Sequence, residues 1–144
     1  MLLVILTSLL LVALTTAMHY EVIHWLGERI PTLRMSARAR LMVVIFATAF
    51  SHAAQVVLYG VAMYMLVNWA GAGRLEGPDG PGLSACIYFS AESYTSLGFG
   101  DIKPTGPIRM VTGIEALNGL ILIGWTACYL FMEAERFRTV QQQA

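Results

Sequence analysis

Thirty consecutive residues, Leu41 to Ala70, carry no Asp, Glu, Lys or Arg. As an α-helix that run is about 45 Å long, more than the hydrocarbon thickness of a bilayer, so it must tilt or protrude. Two further stretches have the same character. Residues 1–20 hold no charged side chain, and their apolar part, Met1 to Met18, is at the lower limit for a spanning helix. Met110 to Met132 holds one charge, Glu115. Only 12% of the 144 residues are charged, against roughly 25% in a soluble domain, and the formal net charge is zero. A soluble enzyme, a disordered tail and a nucleic-acid binder all need more water-facing or basic chemistry than this. Lipid is the expected solvent, and three spans the expected count.

No Lys or Arg precedes the first apolar run, which favours a retained span over a cleaved signal peptide, although Thr15-Thr16-Ala17 has the small residues of a cleavage site. Arg29, Arg34, Arg38 and Arg40 crowd the first connection, and Arg136 and Arg138 the C-terminal end, whereas residues 71–109 hold only Arg74, Lys103 and Arg109. The positive-inside bias therefore places the N-terminus outside and the C-terminus in the cytoplasm. Cys86 and Cys128 fall near opposite membrane faces and read as two inert thiols.

The connection between the second and third spans is not an ordinary loop. Residues 71–82 form a Gly/Pro-rich turret. Leu83 to Thr95 then turns apolar and helical over a length too short to cross, with Ser84 as its expected cap. Ser96 to Asp101 follows, and Pro104 precedes the return. Non-helical backbone at membrane depth is tolerated only where protein buries it or it lines a water-filled path, so this loop points to permeation.

Thr95-Ser96-Leu97-Gly98-Phe99-Gly100-Asp101 resembles the T-T-V-G-Y-G-D signature of tetrameric potassium channels, and Ser90 and Glu92 match the S-x-E before it in bacterial two-span channels. Gly119 and Gly124 stand at the five-residue spacing of their inner-helix hinge. The resemblance covers Leu41 to about Arg138, and residues 1–40 have no counterpart in the minimal pore. It implies an all-α membrane protein: three transmembrane helices, a re-entrant pore helix and a selectivity-filter loop, in a homotetrameric pore. The implied divisions are an N-terminal span with a cytoplasmic-side amphipathic helix or loop (1–40), an outer helix (41–70), the turret (71–82), a pore helix (83–95), a filter (96–101), an inner helix (108–132) within a pore module ending at 138, and a short tail (139–144).

A dehydrated cation needs oxygens in place of its water shell, and stacked backbone carbonyls supply them. Neighbouring carbonyls face one way only where the backbone alternates in handedness, which suits Gly98 and Gly100. By resemblance, Ser96, Leu97, Gly98, Phe99 and Gly100 form the K⁺ filter, with Glu92, Thr95 and Asp101 supporting it; Glu92 and Asp101 would share a proton. One loop cannot surround an ion, so four chains are expected. A lone Gly-Phe-Gly would read as a turn; a re-entrant-length helix, two hydroxyls and flanking spans give it meaning. Ser96 lacks the threonine methyl, Leu97 replaces Val or Ile, Phe99 lacks the filter phenol, and Tyr88 and Phe89 stand where the relatives carry two tryptophans.

On the third span, Leu120, Ile123, Ala127 and Phe131 share a stripe where the family places its cavity wall, and Glu115 and Asn118 lie about 140–160° away, facing protein. A carboxylate at membrane depth costs roughly 2.5–3.5 kcal/mol, so Glu115 requires a partner. His52 and Gln55 read as interhelical hydrogen-bonding residues rather than an ion site. His19 and His24 are five residues apart, about 140° around a helix, which is wrong for paired metal ligands. Glu21, His24 and Glu28 share a stripe opposite Val22, Ile23, Trp25, Leu26 and Ile30, as on an amphipathic interfacial helix: a solvated face, or, more sharply, a proton sensor. The second span has no charge to move, which excludes intrinsic voltage sensing there.

The expected function is a potassium-selective channel of the cell (plasma or inner) membrane, with lipid and three further copies of itself as partners. No cofactor beyond permeant K⁺, no nucleic acid, no small-molecule substrate and no enzymatic activity is expected. A weakly selective cation channel of the same fold and a non-conducting pore-like subunit or sensor are the alternatives.

Overall fold

The computed structural model describes residues 1–78, 80 and 82–142. Helix α1 (Leu2–Arg29) ends in a 3-10 turn, Ile30–Thr32, where Pro31 withdraws a backbone donor and the helix cannot continue. The first span and the amphipathic segment expected after it are one helix: residues 20–29 add polar side chains on one face without breaking the helical period. The buried face of α1 carries Val4, Ser8, Leu11, Thr15, His19 and Leu26. Ser8 and Thr15 donate their hydroxyls to the carbonyls of Val4 and Leu11, both at 2.8 Å, so small polar residues enter the interior with their donors satisfied. Leu2, Leu6, Leu9 and Leu10 are exposed on the opposite side, as a lipid-facing surface requires.

Helix α2 (Ala37–Asn68) begins before the charge-free run because Ser36, in an extended conformation, caps it by accepting from the Ala39 amide at 3.3 Å. Phe46 and Phe50, one turn apart, point outward. After a short strand β1 (Arg74–Glu76) comes α3 (Leu83–Tyr94), then strand β2 (Lys103–Thr105) and helix α4 (Ile108–Gln142). Ser84 does not cap α3: Gly82 holds the N-cap position, and no side chain caps it. The inner helix is longer than the apolar run, since the expected tail at 139–144 continues α4 to Gln142; Gln143 and Ala144 lie outside the described residues.

Among the described residues, three helices are long and apolar enough to cross a membrane: Leu2–Thr32, Arg38–Asn68 and Ile108–Arg136. The chain is an all-α membrane protein apart from the antiparallel pair β1–β2, which aligns Arg74 with Thr105, Leu75 with Pro104 and Glu76 with Lys103. That pair closes the base of the segment carrying α3 and the loop after it, and the Ile108 amide ties α4 to the Ala72 carbonyl at 2.8 Å.

Apolar packing divides into two clusters. One surrounds α3 and includes Tyr59, Met63, Cys86, Phe89, Tyr94 and Ile108; the other joins Leu26, Ile30, Val44 and Tyr129. Along each spanning helix, polar residues occupy the level between the clusters: Thr15 and His19 on α1, Ser51 and Gln55 on α2, Asn118 and Thr126 on α4, all buried. In hydrocarbon such groups must find partners on neighbouring helices, so they fix helix rotation where apolar contact alone would not. The Asn118 amide donates to Thr15 Oγ1 at 2.8 Å and to the Tyr59 hydroxyl at 3.2 Å, joining all three spans at one level.

Candidate ion-conduction site

The short helix α3 is seated between two glycines. A Cβ added to Gly60 of α2 would stand 2.7 Å from Ile87 Cα, and one added to Gly119 of α4 would stand 2.1 Å from the Tyr94 carbonyl oxygen. Neither distance is possible for a real side chain, so α3 approaches both helices as closely as backbone allows. Gly119, expected as a hinge, is thus a contact point, whereas Gly124 has nothing within 4 Å of an added Cβ.

At its C-terminus α3 is closed by a paired cap. The Ser96 amide donates to the Ser93 carbonyl at 3.0 Å, and the Leu97 amide to the Glu92 carbonyl at 2.9 Å. This is the Schellman arrangement, which demands a left-handed residue between cap and exit, and Ser96 takes that role at φ 56° without being glycine. Gly98 (φ 56°) and Gly100 (φ 82°) are also left-handed, whereas Leu97 and Phe99 are not. Handedness therefore alternates residue by residue from Ser96 to Gly100. All five residues are exposed on the single chain, with Leu97 and Phe99 60% and 68% accessible.

Behind this segment, Tyr88 donates its hydroxyl to Asp101 Oδ2 at 3.1 Å, and Asp101 Oδ1 accepts from the Ile102 amide at 3.1 Å. Desolvation, then the carboxyl groups of Glu92 and Asp101, push the Tyr88 phenol up to about 12, so it stays a donor. Among the described residues no hydrogen bond joins Glu92 to Asp101. Tyr88 interacts with both carboxyl groups. Glu92 is buried, and among the described residues its Oε1 has no hydrogen-bond partner. It borders a cavity of about 270 Å³ together with Ser96, Gly98, Gly100, Thr112 and Ala116. Thr95 Oγ1 donates back to the Ala91 carbonyl at 2.7 Å.

Glu115 is fully buried and finds its partner in Ser90 of α3. The Ser90 hydroxyl also stands 2.8 Å from the Val56 carbonyl, an obligate acceptor, so Ser90 links α2, α3 and α4. On α4, Leu120, Ile123, Ala127 and Phe131 are exposed while Glu115, Asn118, Leu122 and Thr126 are buried. The exposed sector is wider than the expected stripe and extends to Leu117 and Ile121 on its far side, with Ile123 at its near edge. On α1, His24 lies 3.5 Å from Glu28 and stacks on Tyr20 with ring centroids 5.7 Å apart; Glu21 is exposed on the same stripe. These groups are on the surface. Among the described residues no cluster of three or more His, Cys, Asp or Glu residues has the arrangement of a metal site.

The ion channel family matches residues 39–136, well over half of the chain, with α2, α3, the loop and most of α4 inside the match. The chain belongs to the ion channel family. No curated protein matches it, and no solved structure does. It is a channel protein rather than an enzyme, and α1 is an addition lying outside the family's span.

Three residues central to the channel's interior were not singled out for function by sequence reasoning. His19 has no ligand-spaced partner along its own helix, yet it faces His52 of α2 with ring centroids 5.0 Å apart. Tyr94 and Thr126 each present a hydroxyl to His52, at 2.9 and 2.8 Å. The available signal was polarity alone: each is a hydrogen-bonding residue within an otherwise apolar run.

Proposed function

We propose that this chain assembles as a homotetramer into a potassium-selective channel of the cell membrane, with its N-terminus outside and its C-terminus in the cytoplasm. The observation that carries this reading is the left-handed alternation at Ser96, Gly98 and Gly100 directly after a helix too short to cross. Such a backbone turns successive carbonyls toward one side, where they replace the hydration shell of a cation. One chain supplies one such strand, and the exposure of Leu97 and Phe99 leaves apolar side chains for neighbouring chains to cover. The apolar stripe Leu120, Ile123, Ala127 and Phe131 would then line the water-filled approach. Orientation rests on the arginines of the first connection and the C-terminal end.

Native mass spectrometry in mild detergent tests the assembly: tetramers are expected, and monomers or dimers alone contradict a four-fold pore. Replacing Gly98 by Ala tests the filter. A left-handed conformation costs an alanine roughly 1–2 kcal/mol, repeated in each of the chains around the ring, so selective flux should disappear while the tetramer survives. Unchanged potassium flux in Gly98→Ala would remove the loop from the conduction path.

A further inference from the structure

Five side chains from four helices meet at the inner end of α3. His19 Nε2 lies 3.2 Å from Thr126 Oγ1, which lies 2.8 Å from His52 Nε2. His52 Nδ1 lies 2.9 Å from the Tyr94 hydroxyl, which donates to Gln55 Oε1. Gln55 Nε2 closes the circuit to His19 Nδ1 at 3.3 Å, and its second hydrogen goes to Ser51 Oγ at 3.2 Å. With one proton on each imidazole, every member donates once and accepts once around the circuit: His19 to Thr126, Thr126 to His52, His52 to Tyr94, Tyr94 to Gln55, Gln55 to His19. Hydrogen bonds running head to tail in this way reinforce one another.

The circuit closes only if both histidines are neutral and carry their protons on different ring nitrogens. In the direction given, His19 is protonated on Nε2 and His52 on Nδ1. Turning the Gln55 amide over reverses the whole circuit and exchanges both tautomers, which remain opposite. A second proton on either imidazole removes an acceptor that the head-to-tail order needs: two donors must then converge on one hydroxyl oxygen, a charge enters the ring, and the mutual reinforcement around the circuit is lost.

Tyr94 is the last residue of α3. The cap that releases the chain into the loop starts immediately after it, and its own carbonyl is pressed against Gly119. We propose that this ring is a positioning device for the loop from Ser96 to Gly100, holding the end of α3 while both histidines are neutral and releasing it when either takes a proton. The titratable groups facing the ring are its own His19 from α1, His52 from α2 and Tyr94 from α3, with Tyr59 of α2 and Glu115 of α4 next beyond them. Glu115 is already engaged by Ser90. One side is open: His52 and Thr126 border a groove of about 300 Å³ between α2 and α4, shared with Ile123 and Ala127. If those two residues line the conduction path, as the proposed function holds, the ring is read from the water inside the pore.

The test uses the full chain in lipid nanodiscs and needs no ion flux, so a protein that fails to conduct refutes the conduction reading without touching this one. Nitrogen-15 spectra at neutral pH of a His24→Gln protein, which keeps only the two imidazoles of the circuit, should give two neutral rings of opposite tautomer; like tautomers, or a charged ring, would overturn the circuit. Hydrogen-exchange protection of the Ser96 and Leu97 amides should fall about tenfold as the pH is lowered through the imidazole titration seen in the same spectra. Imidazoles that charge with no change in protection would overturn the positioning role. Thr126→Val, which keeps the shape and removes the hydroxyl, should show the lowered protection at every pH, and Thr126→Ser should restore both the protection and its pH dependence. A Thr126→Val protein as protected as the parent contradicts the proposal. If that variant does not fold, Tyr94→Phe must lose protection in the same way, and the parent's own pH profile decides the matter in either case.

Discussion

Gly119→Ala places a methyl group 2.1 Å from the Tyr94 carbonyl oxygen, 2.9 Å from its carbonyl carbon and 3.0 Å from its Cγ. Ordinary contact begins near 3.4 Å, so α3 and α4 must part by roughly 1.3 Å at this point. The obstacle is backbone and has no rotamer to escape into. Overpacking of this kind costs about 1–3 kcal/mol. Alanine also gains about 1 kcal/mol over glycine from helix propensity, which would mask part of the loss. Gly124→Ala supplies the control: it lies on the same helix, with nothing within 4 Å of the added Cβ, and carries the same propensity gain. Subtracting one variant from the other cancels propensity and leaves the clash. Thermal unfolding of both in one detergent should place Gly119→Ala below Gly124→Ala by about 1–3 kcal/mol. Exchange protection of the Ser96 and Leu97 amides should fall only in the former. Equal stability of the two would mean that α3 does not rest against α4 at Tyr94, and the close seating of the pore helix would be wrong.

Ser90→Ala leaves the buried Glu115 without its hydrogen-bond partner and should destabilise by about 1–3 kcal/mol, an effect that unfolding of Ser90→Ala in a Glu115→Leu background should largely erase. Asn118→Leu removes the bridge from α4 to Thr15 and Tyr59; interhelical bonds in membranes average about 0.6 kcal/mol, so the unfolding midpoint should fall only modestly, and a loss as large as that of Ser90→Ala would contradict the assignment. If Ile123 faces the conduction path, Ile123→Asp in four chains should concentrate cations there and raise single-channel current at low salt, whereas Asn118→Asp, on the buried side, should impair folding or opening instead. The reverse pattern would place the cavity wall on the wrong face of α4.

The three spans and the short helix between the second and third were legible because each is a long or sharply bounded apolar run, and lipid tolerates little else. Continuity of α1 was not, since Tyr20 to Arg29 loses apolarity on one side while keeping the helical period. The β1–β2 pair was invisible: three residues a side, Arg-Leu-Glu against Lys-Pro-Thr, carry no alternation to read. Ser96 shows a different limit. Its left-handed conformation is imposed by the cap of α3, a position where glycine is the usual signal and serine gives none. Glu115 and His52 plainly required partners, but naming Ser90, Tyr94 and Thr126 needs the relative rotation of four helices. Those rotations are fixed by Gly60 and Gly119 and by the polar residues themselves.

The proposed function turns on whether the loop from Ser96 to Gly100 selects potassium. Purified protein reconstituted into vesicles, with potassium on one side and sodium at equal concentration on the other, measures this through the zero-current potential. The account predicts a potential set by the potassium gradient and lost in Gly98→Ala. A potential near zero in the parent protein would mark an unselective cation pore, and no conductance at all would contradict the account at its centre.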